Sequence, residues 1–267
     1  MAVLAWVRRH LLAFAAFAVL LYLLIPNIVV AVFSFNDPVG KFNYNWAQFS
    51  TDAWTNPCGS PGICESLGLS LRIGVTASLV ATVLGTMVAL ALGRYRFRGR
   101  AATNLLIFVP MATPEVVMGS SLLTLFLMMG IPSGGRAILI AHIMFCVSFV
   151  VVAVKARVAT LDPRLEEAAA DLGATPAQTF IRVTLPLAAP GIAAGALLAF
   201  SLSFDDYIIT NFNASPSSIT FPMYVWGAAQ RGTPVQINVV GTVMFVAALT
   251  LVAVGQLISN RRAKAAV

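Results

Sequence analysis

What this sequence has least of is charge. Only 10% of its 267 residues are Asp, Glu, Lys or Arg, against 59% hydrophobic ones, and the mean hydropathy is +0.87. That leaves too little polar surface to coat a soluble globule of this length. Histidine is nearly missing, with two residues, and the three cysteines do not make a four-ligand zinc pattern, so no metal centre is expected. The phosphate-cradling motif G-x-x-x-x-G-K-[ST] does not occur, so any ATP hydrolysis has to be done by another chain. A recognisable serine or cysteine dyad is lacking as well, which leaves an intramembrane hydrolase without support and the chain without expected catalytic residues. There is no solenoid repeat and no low-complexity tract.

Long apolar runs stand in place of these features. A bilayer core of about 30 Å takes roughly 20 apolar residues per helical crossing. Such runs lie near residues 11–33, 68–93, 104–129, 137–156, 188–210 and 237–258, and six crossings put both termini on one side. The first run follows Arg8, Arg9 and His10, as an export signal would. It exceeds the roughly 7–15 apolar residues of a signal, and "VVAVFSFN" offers no small-residue cleavage site, so it reads as the first membrane anchor. Lysine and arginine orient the set. Arg8, Arg9, Arg94, Arg96, Arg98, Arg100, Lys155, Arg157, Arg164, Arg182, Arg261, Arg262 and Lys264 fall on one side, whereas the other holds Lys41, Arg136 and Arg231, with Arg72 at the mouth of the second span. The termini are therefore expected in the cytoplasm. The net charge of +7 is mostly this topological signal. Scattered over short loops, these residues do not make a nucleic-acid footprint.

The chain reads as one membrane domain, 1–267, with outer loops at about 34–67 and 211–236 and a cytoplasmic insert at about 160–187. The first outer loop is the largest external surface and is expected to mix turns with a short interfacial helix. Its Cys58 and Cys64, in "NPCGSPGIC", can bridge across a Pro/Gly-rich turn in an oxidising compartment. Cys146, inside the fourth span, is expected to pack. Phe221, Tyr224 and Trp226 in the second loop suit a membrane-interface belt.

Among these apolar runs the stretch "LDPRLEEAAADLGATPAQTFIRVTLP", residues 161–186, reads like soluble protein. Asp162 can cap a helix that Pro163 begins, and Glu166 and Glu167 suit its positive end. About three turns are expected before Gly173, placed where a left-handed cap is wanted. Thr175-Pro176 repeats the start signal, for a second helix ending before Leu185-Pro186.

The spacing Glu167-Ala168-Ala169, three residues, Gly173, nine residues, Val183, one residue, Leu185-Pro186 resembles the EAA loop of ABC importer permeases, with Val183 where that pattern usually has isoleucine. "RYRFRG", "PEVVMGSSLL", "AHIMFCVSFVVV" and "SFDDYIITNF" are similar to the second membrane subunit of spermidine/putrescine importers. The resemblance implies an all-α membrane protein of the type I ABC importer permease fold, with six transmembrane helices and a cytoplasmic coupling-helix loop, in a bacterial cytoplasmic (inner) membrane. It implies that Glu166, Glu167, Ala168, Ala169, Asp171, Gly173, Leu185 and Pro186 couple the chain to an ATPase, rather than forming an ordinary interfacial hairpin. It further implies a second permease subunit, an ATPase dimer that holds ATP and Mg, an outer substrate-binding protein and a polyamine substrate. No cofactor is expected on this chain. The alternatives are import of another small solute, or a stand-alone proton-coupled transporter.

Glu115, Asp205 and Asp206 are the acids that this topology leaves inside spans, where a carboxylate is costly and faces a cavity or a partner. Pro110 and Pro114 precede Glu115 and free backbone carbonyls to line a wet space. Consecutive aspartates point about 100° apart, so Asp205 and Asp206 are not expected to face one pore equally. Two readings stay open for the acids, a substrate path or salt bridges and capping within the permease pair. Phe200, Phe204, Tyr207 and Phe212 can wall a path for an aliphatic stem, or pack. His142 is expected to pack or hydrogen-bond, and Pro190, Gly191 and Gly195 to permit close helix approach.

Overall fold

A computed structural model of the chain describes residues 2–265, with side chains from 10 to 255. Arg8, Arg9, Arg261, Arg262 and Lys264, which enter the expected orientation, have side chains outside the described residues. In chain order the helices are α1 (Ala2–Phe33), α2 (Asp52–Thr55), α3 (Ile63–Arg94), α4 (Arg100–Ala112), α5 (Glu115–Met128) and α6 (Gly135–Val158). They continue with α7 (Arg164–Asp171), α8 (Pro176–Thr179), a π turn (Phe180–Thr184), α9 (Leu185–Asp205), α10 (Ile208–Asn213), α11 (Phe221–Arg231) and α12 (Val235–Ala265). Five stretches, His10–Phe33, Ile63–Arg94, Gly135–Val158, Pro176–Asp205 and Val235–Gly255, are long and apolar enough to cross a membrane, and the bent pair α4–α5 makes a sixth if it is one span.

Two expected crossings are broken. The run at 104–129 turns through 106° between α4 and α5. Pro114 bars the helical conformation from the residue before it, and Thr113 is accordingly extended, with φ −80° and ψ 131°. The run at 188–210 stops at Asp205, and Asp206 is extended (φ −64°, ψ 125°) before the short α10. At its other end this span is longer than expected. The helix begun at Pro176 does not end before Leu185-Pro186 but continues through the π turn into α9. Leu185 N–H donates to Phe180 O, one residue further back than in an α-helix. The widened turn just ahead of Pro186 takes up its missing N–H without ending the helix.

The chain forms two compact units, one spanning Glu65–Tyr224 and the other made of the residues on either side of it. In the first, α6 and α9 pack along each other around Ala141, Val150, Val154, Ala188 and Ala199. Small residues allow the approach: Gly191 leaves no room for a Cβ against the Arg157 side chain, and at Gly195 one would lie 3.4 Å from Val150. Cys146 is buried at this seam, its thiol directed to the Ala199 carbonyl at 3.4 Å. The interior is polar where a soluble core would not be, with Ser148, His142, Ser203, Thr210 and Asn213 buried, while Leu79, Leu105 and Leu197 are more than 60% exposed. That inversion fits lipid as the outer solvent.

In the second unit α1 packs along α12, with Val30 against Gly241. The loop after α1 folds around buried Asn36, whose amide donates to Asn43 Oδ1 (2.7 Å) and to the Asn45 carbonyl (2.8 Å) and whose oxygen accepts from Ala47 N–H (2.8 Å). Phe35 stacks between Phe49 and Trp54, at 5.7 and 5.2 Å. Cys58 and Cys64 are joined by a disulfide. A hollow of about 530 Å³ opens here, lined by Asp37, Ser50, Asp52, Asn56 and Gln236 among others.

Candidate functional sites in the 160–187 loop and among the span acids

Local helix-end chemistry builds the loop at 160–187. Asp162 Oδ1 accepts from Arg164 N–H at 3.0 Å and starts α7, which makes about two turns rather than three before it closes. At its end Gly173 is left-handed, with φ +84°. Gly173 N–H donates to Ala170 O (2.9 Å) and Ala174 N–H to Ala169 O (3.0 Å), the paired closure that satisfies orphan carbonyls. Thr175 and Gln178 then form a reciprocal capping box, with bonds of 2.9 and 3.3 Å, ahead of the helix that Pro176 begins.

Glu167, Ala168, Ala170, Asp171 and Gly173 are exposed, Ala169 and Leu185 half-buried, and Pro186 exposed. Leu172 and Ile181, at 89% and 61% exposed, give this face an apolar character that water alone would not favour. Glu166 differs from its neighbours. Its Oε1 lies 3.0 Å from Arg94 Nη2 and accepts from Thr184 Oγ1 at 2.8 Å. It ties α7 to the end of α3 and to the π turn, within its own chain.

Glu115 is the exposed first residue of α5, directly after the 106° bend. The helix it begins packs along α10, where Gly119 faces Phe212. Asp205 and Asp206 have different surroundings: Asp205 is exposed and Asp206 is buried. Asp206 Oδ1 accepts from Ile209 N–H (3.3 Å), and Oδ2 accepts from Thr210 N–H and from Thr210 Oγ1, both at 2.8 Å. His142 Nε2 stands 3.3 Å from the same Oδ2 and 3.0 Å from Thr210 Oγ1, while its Nδ1 is 2.7 Å from Ser203 Oγ. Hydrogen bonds to a charged group are worth about 1.5–3 kcal/mol each, so this set holds the α9–α10 break firmly. Phe204 continues an aromatic row, stacked on Phe200 at 5.8 Å and tilted against Phe221 at 6.4 Å. Tyr207, beyond the break, is half-buried.

Four residues in these arrangements carried no functional expectation: Arg94, Thr184, Ser203 and Thr210. The signal for the last two was faint, since Ser203, Asp206 and Thr210 stand at i, i+3 and i+7, one face of an unbroken helix. Arg94 is 72 positions from Glu166, and no local pattern joins them.

The profile described as "binding-protein-dependent transport system inner membrane component" matches residues 81–264. The chain is 37% identical over 247 residues to the spermidine/putrescine transport system permease protein PotC of Escherichia coli strain K12, covering 92% of this chain and 93% of that one. It is also 37% identical over 230 residues to the putrescine transport system permease protein PotI of the same strain, covering 84% and 81%. Among solved structures, a chain of a bacterial ABC transporter that imports the acidic polysaccharide alginate superposes with a TM-score of 0.67 at 19% identity, covering 97% of this chain and 96% of that one. A chain of an amino acid ABC transporter gives 0.58, again at 19%, covering 80% and 100%.

Proposed function

Since the chain belongs to the inner membrane components of binding-protein-dependent transport systems, we propose that it is the permease subunit of an ATP-driven importer of polyamines of the spermidine and putrescine class. The observation that carries the substrate class is the likeness to two polyamine permeases over most of the chain. The exposed carboxylates of Glu115 and of Asp205, the latter next in the chain to Phe204 of the aromatic row with Phe200 and Phe221, support it. A polyamine is a string of ammonium groups on apolar stems, and it needs anionic acceptors interleaved with aromatic or aliphatic wall.

In this reading the chain is one permease domain with both termini in the cytoplasm, and it forms half of a path with a second permease subunit. A dimeric ATPase binds ATP and Mg and supplies the free energy. The face made by Glu167, Ala168, Ala169, Asp171 and Gly173, with Leu172 at its tip, enters the ATPase, and the outer module closed by the Cys58–Cys64 bridge receives the loaded binding protein. Glu166 serves coupling from inside: as α7 moves with the ATPase, the clasp to Arg94 and Thr184 passes that movement to α3 and α9.

Charge reversal tests the clasp. A part-exposed pair like Arg94–Glu166 contributes only about 0–1 kcal/mol to stability, so Arg94→Glu and Glu166→Arg are each expected to leave assembly intact. Each should cut uptake per ATP hydrolysed about fivefold or more, and the double reversal should restore most of it. Single variants with the parent's uptake per ATP would remove Glu166 from the coupling route.

The class of function is tested with purified components. The assembled complex should hydrolyse ATP faster when its binding protein is loaded with spermidine than when it is empty. The single chain in liposomes under a proton gradient should take up none. Gradient-driven uptake by the chain alone would overturn the reading in favour of a secondary transporter.

A further inference from the structure

The two adjacent aspartates have separate tasks, and the residue that separates them lies on another helix. Asp206 is buried with both oxygens engaged, whereas Asp205 is exposed. "SFDDYIITNF" contains neither proline nor glycine, and the one local device at this point is the Asp206 side chain, which caps Ile209 and Thr210. That cap is also held from another helix. The His142 ring, 1% exposed on α6, reaches Ser203 on the near side of the break with one nitrogen and Asp206 and Thr210 on the far side with the other. With Asp206 as a cap for Ile209 and Thr210, α10 begins anew, and the residues flanking the cap, Asp205 and Tyr207, take their directions from it.

The geometry points to His142 as a positioning residue for substrate passage: it holds Asp206 inside the bundle as an internal cap and so leaves Asp205 as the carboxylate of the pair that is offered to a passing cation. This assignment deepens the polyamine-importer reading and rests on it for the identity of the cation. Neutral imidazole suffices for the task. Nε2–H donates toward Asp206 and Thr210, and Nδ1 accepts from the Ser203 hydroxyl. The ring, 1% exposed, acts through Asp206 and not on the substrate.

The test uses the full complex in proteoliposomes and two independent readouts. The first is the ratio of triamine to diamine uptake at saturating binding protein, which a purely architectural loss would lower for both amines alike. The second needs no substrate: the rate at which a membrane-impermeant quaternary-ammonium thiosulfonate labels a cysteine replacing Asp205. This chain's own cysteines are bridged or buried and stay silent, and labelling is read on this chain alone after the subunits are separated. His142→Ala should change the labelling rate at 205 by about fivefold or more and shift the triamine-to-diamine ratio in the same direction as Asp205→Asn. His142→Gln, which keeps a donor, should bring both back toward the parent. If His142→Ala does not assemble, Ser203→Ala and Thr210→Val each remove one tie at nearly constant volume, and should move the labelling rate by about twofold. Labelling at 205 and an amine ratio unchanged in all these variants would overturn the assignment. A parent complex that carries no polyamine would instead sink the importer reading, with the labelling arm still deciding the position of Asp205.

Discussion

Gly173→Val should lower ATP-driven uptake about tenfold or more while leaving the chain in the membrane. The backbone at this corner has φ +84°, and a left-handed conformation costs a residue with a Cβ roughly 1–2 kcal/mol, more for a β-branched one. No neighbouring atom would meet the added Cβ, so the effect comes from the backbone and not from a clash. The corner would open, and with it the angle between α7 and the helix starting at Pro176. Glu167→Lys should act in the same direction by placing a cation at the positive end of α7. Co-purification of the ATPase with each variant, followed by uptake per ATP, is the measurement. Parent-like values for both would dissociate this loop from coupling.

The second large effect is expected from the acids. An ion pair at 4 Å is worth about 4 kcal/mol at an effective dielectric constant near 20, and a third of that, lost from a path, slows passage about tenfold. Asp205→Asn and Glu115→Gln keep shape and remove charge, and each should reduce polyamine uptake by about that factor with assembly retained. Loss of assembly would indicate salt bridges or caps within the permease pair instead. A variant neutralised at Glu115, Asp205 and Asp206 together that assembles and imports at the parent rate would exclude an acidic path, whatever the fate of the importer assignment.

What could be read without coordinates divides by the range of the interaction. Lipid imposes a length and a composition on each crossing, so the spans were legible as runs of 20 or so residues. The caps at Asp162, Gly173 and Thr175 were legible because each is decided within about four residues. Pro114 announced a break next to Glu115, but its size depends on what the two halves pack against. The π turn before Pro186 was not legible, since a proline in a helical pattern ordinarily marks a stop. The least legible features join distant positions. The Glu166 clasp and the His142 ring each need three helices in place, and a composition this poor in charge gave no hint of which polar groups would meet. The expectation that Asp205 and Asp206 would face different ways assumed a continuous helix, whereas in the structure the helix ends between them, and which of them would be buried was not legible.

Passage of polyamines through a path formed partly by this chain and driven by ATP is tested most directly by accumulation of labelled spermidine in proteoliposomes. The vesicles hold the complete complex with ATP and Mg on the ATPase side and the binding protein on the other. The expected result is uptake against a gradient that stops without ATP or binding protein, is competed by putrescine, and is indifferent to amino acids and anionic oligosaccharides. Accumulation of one of those other solutes, with spermidine left outside, would contradict it.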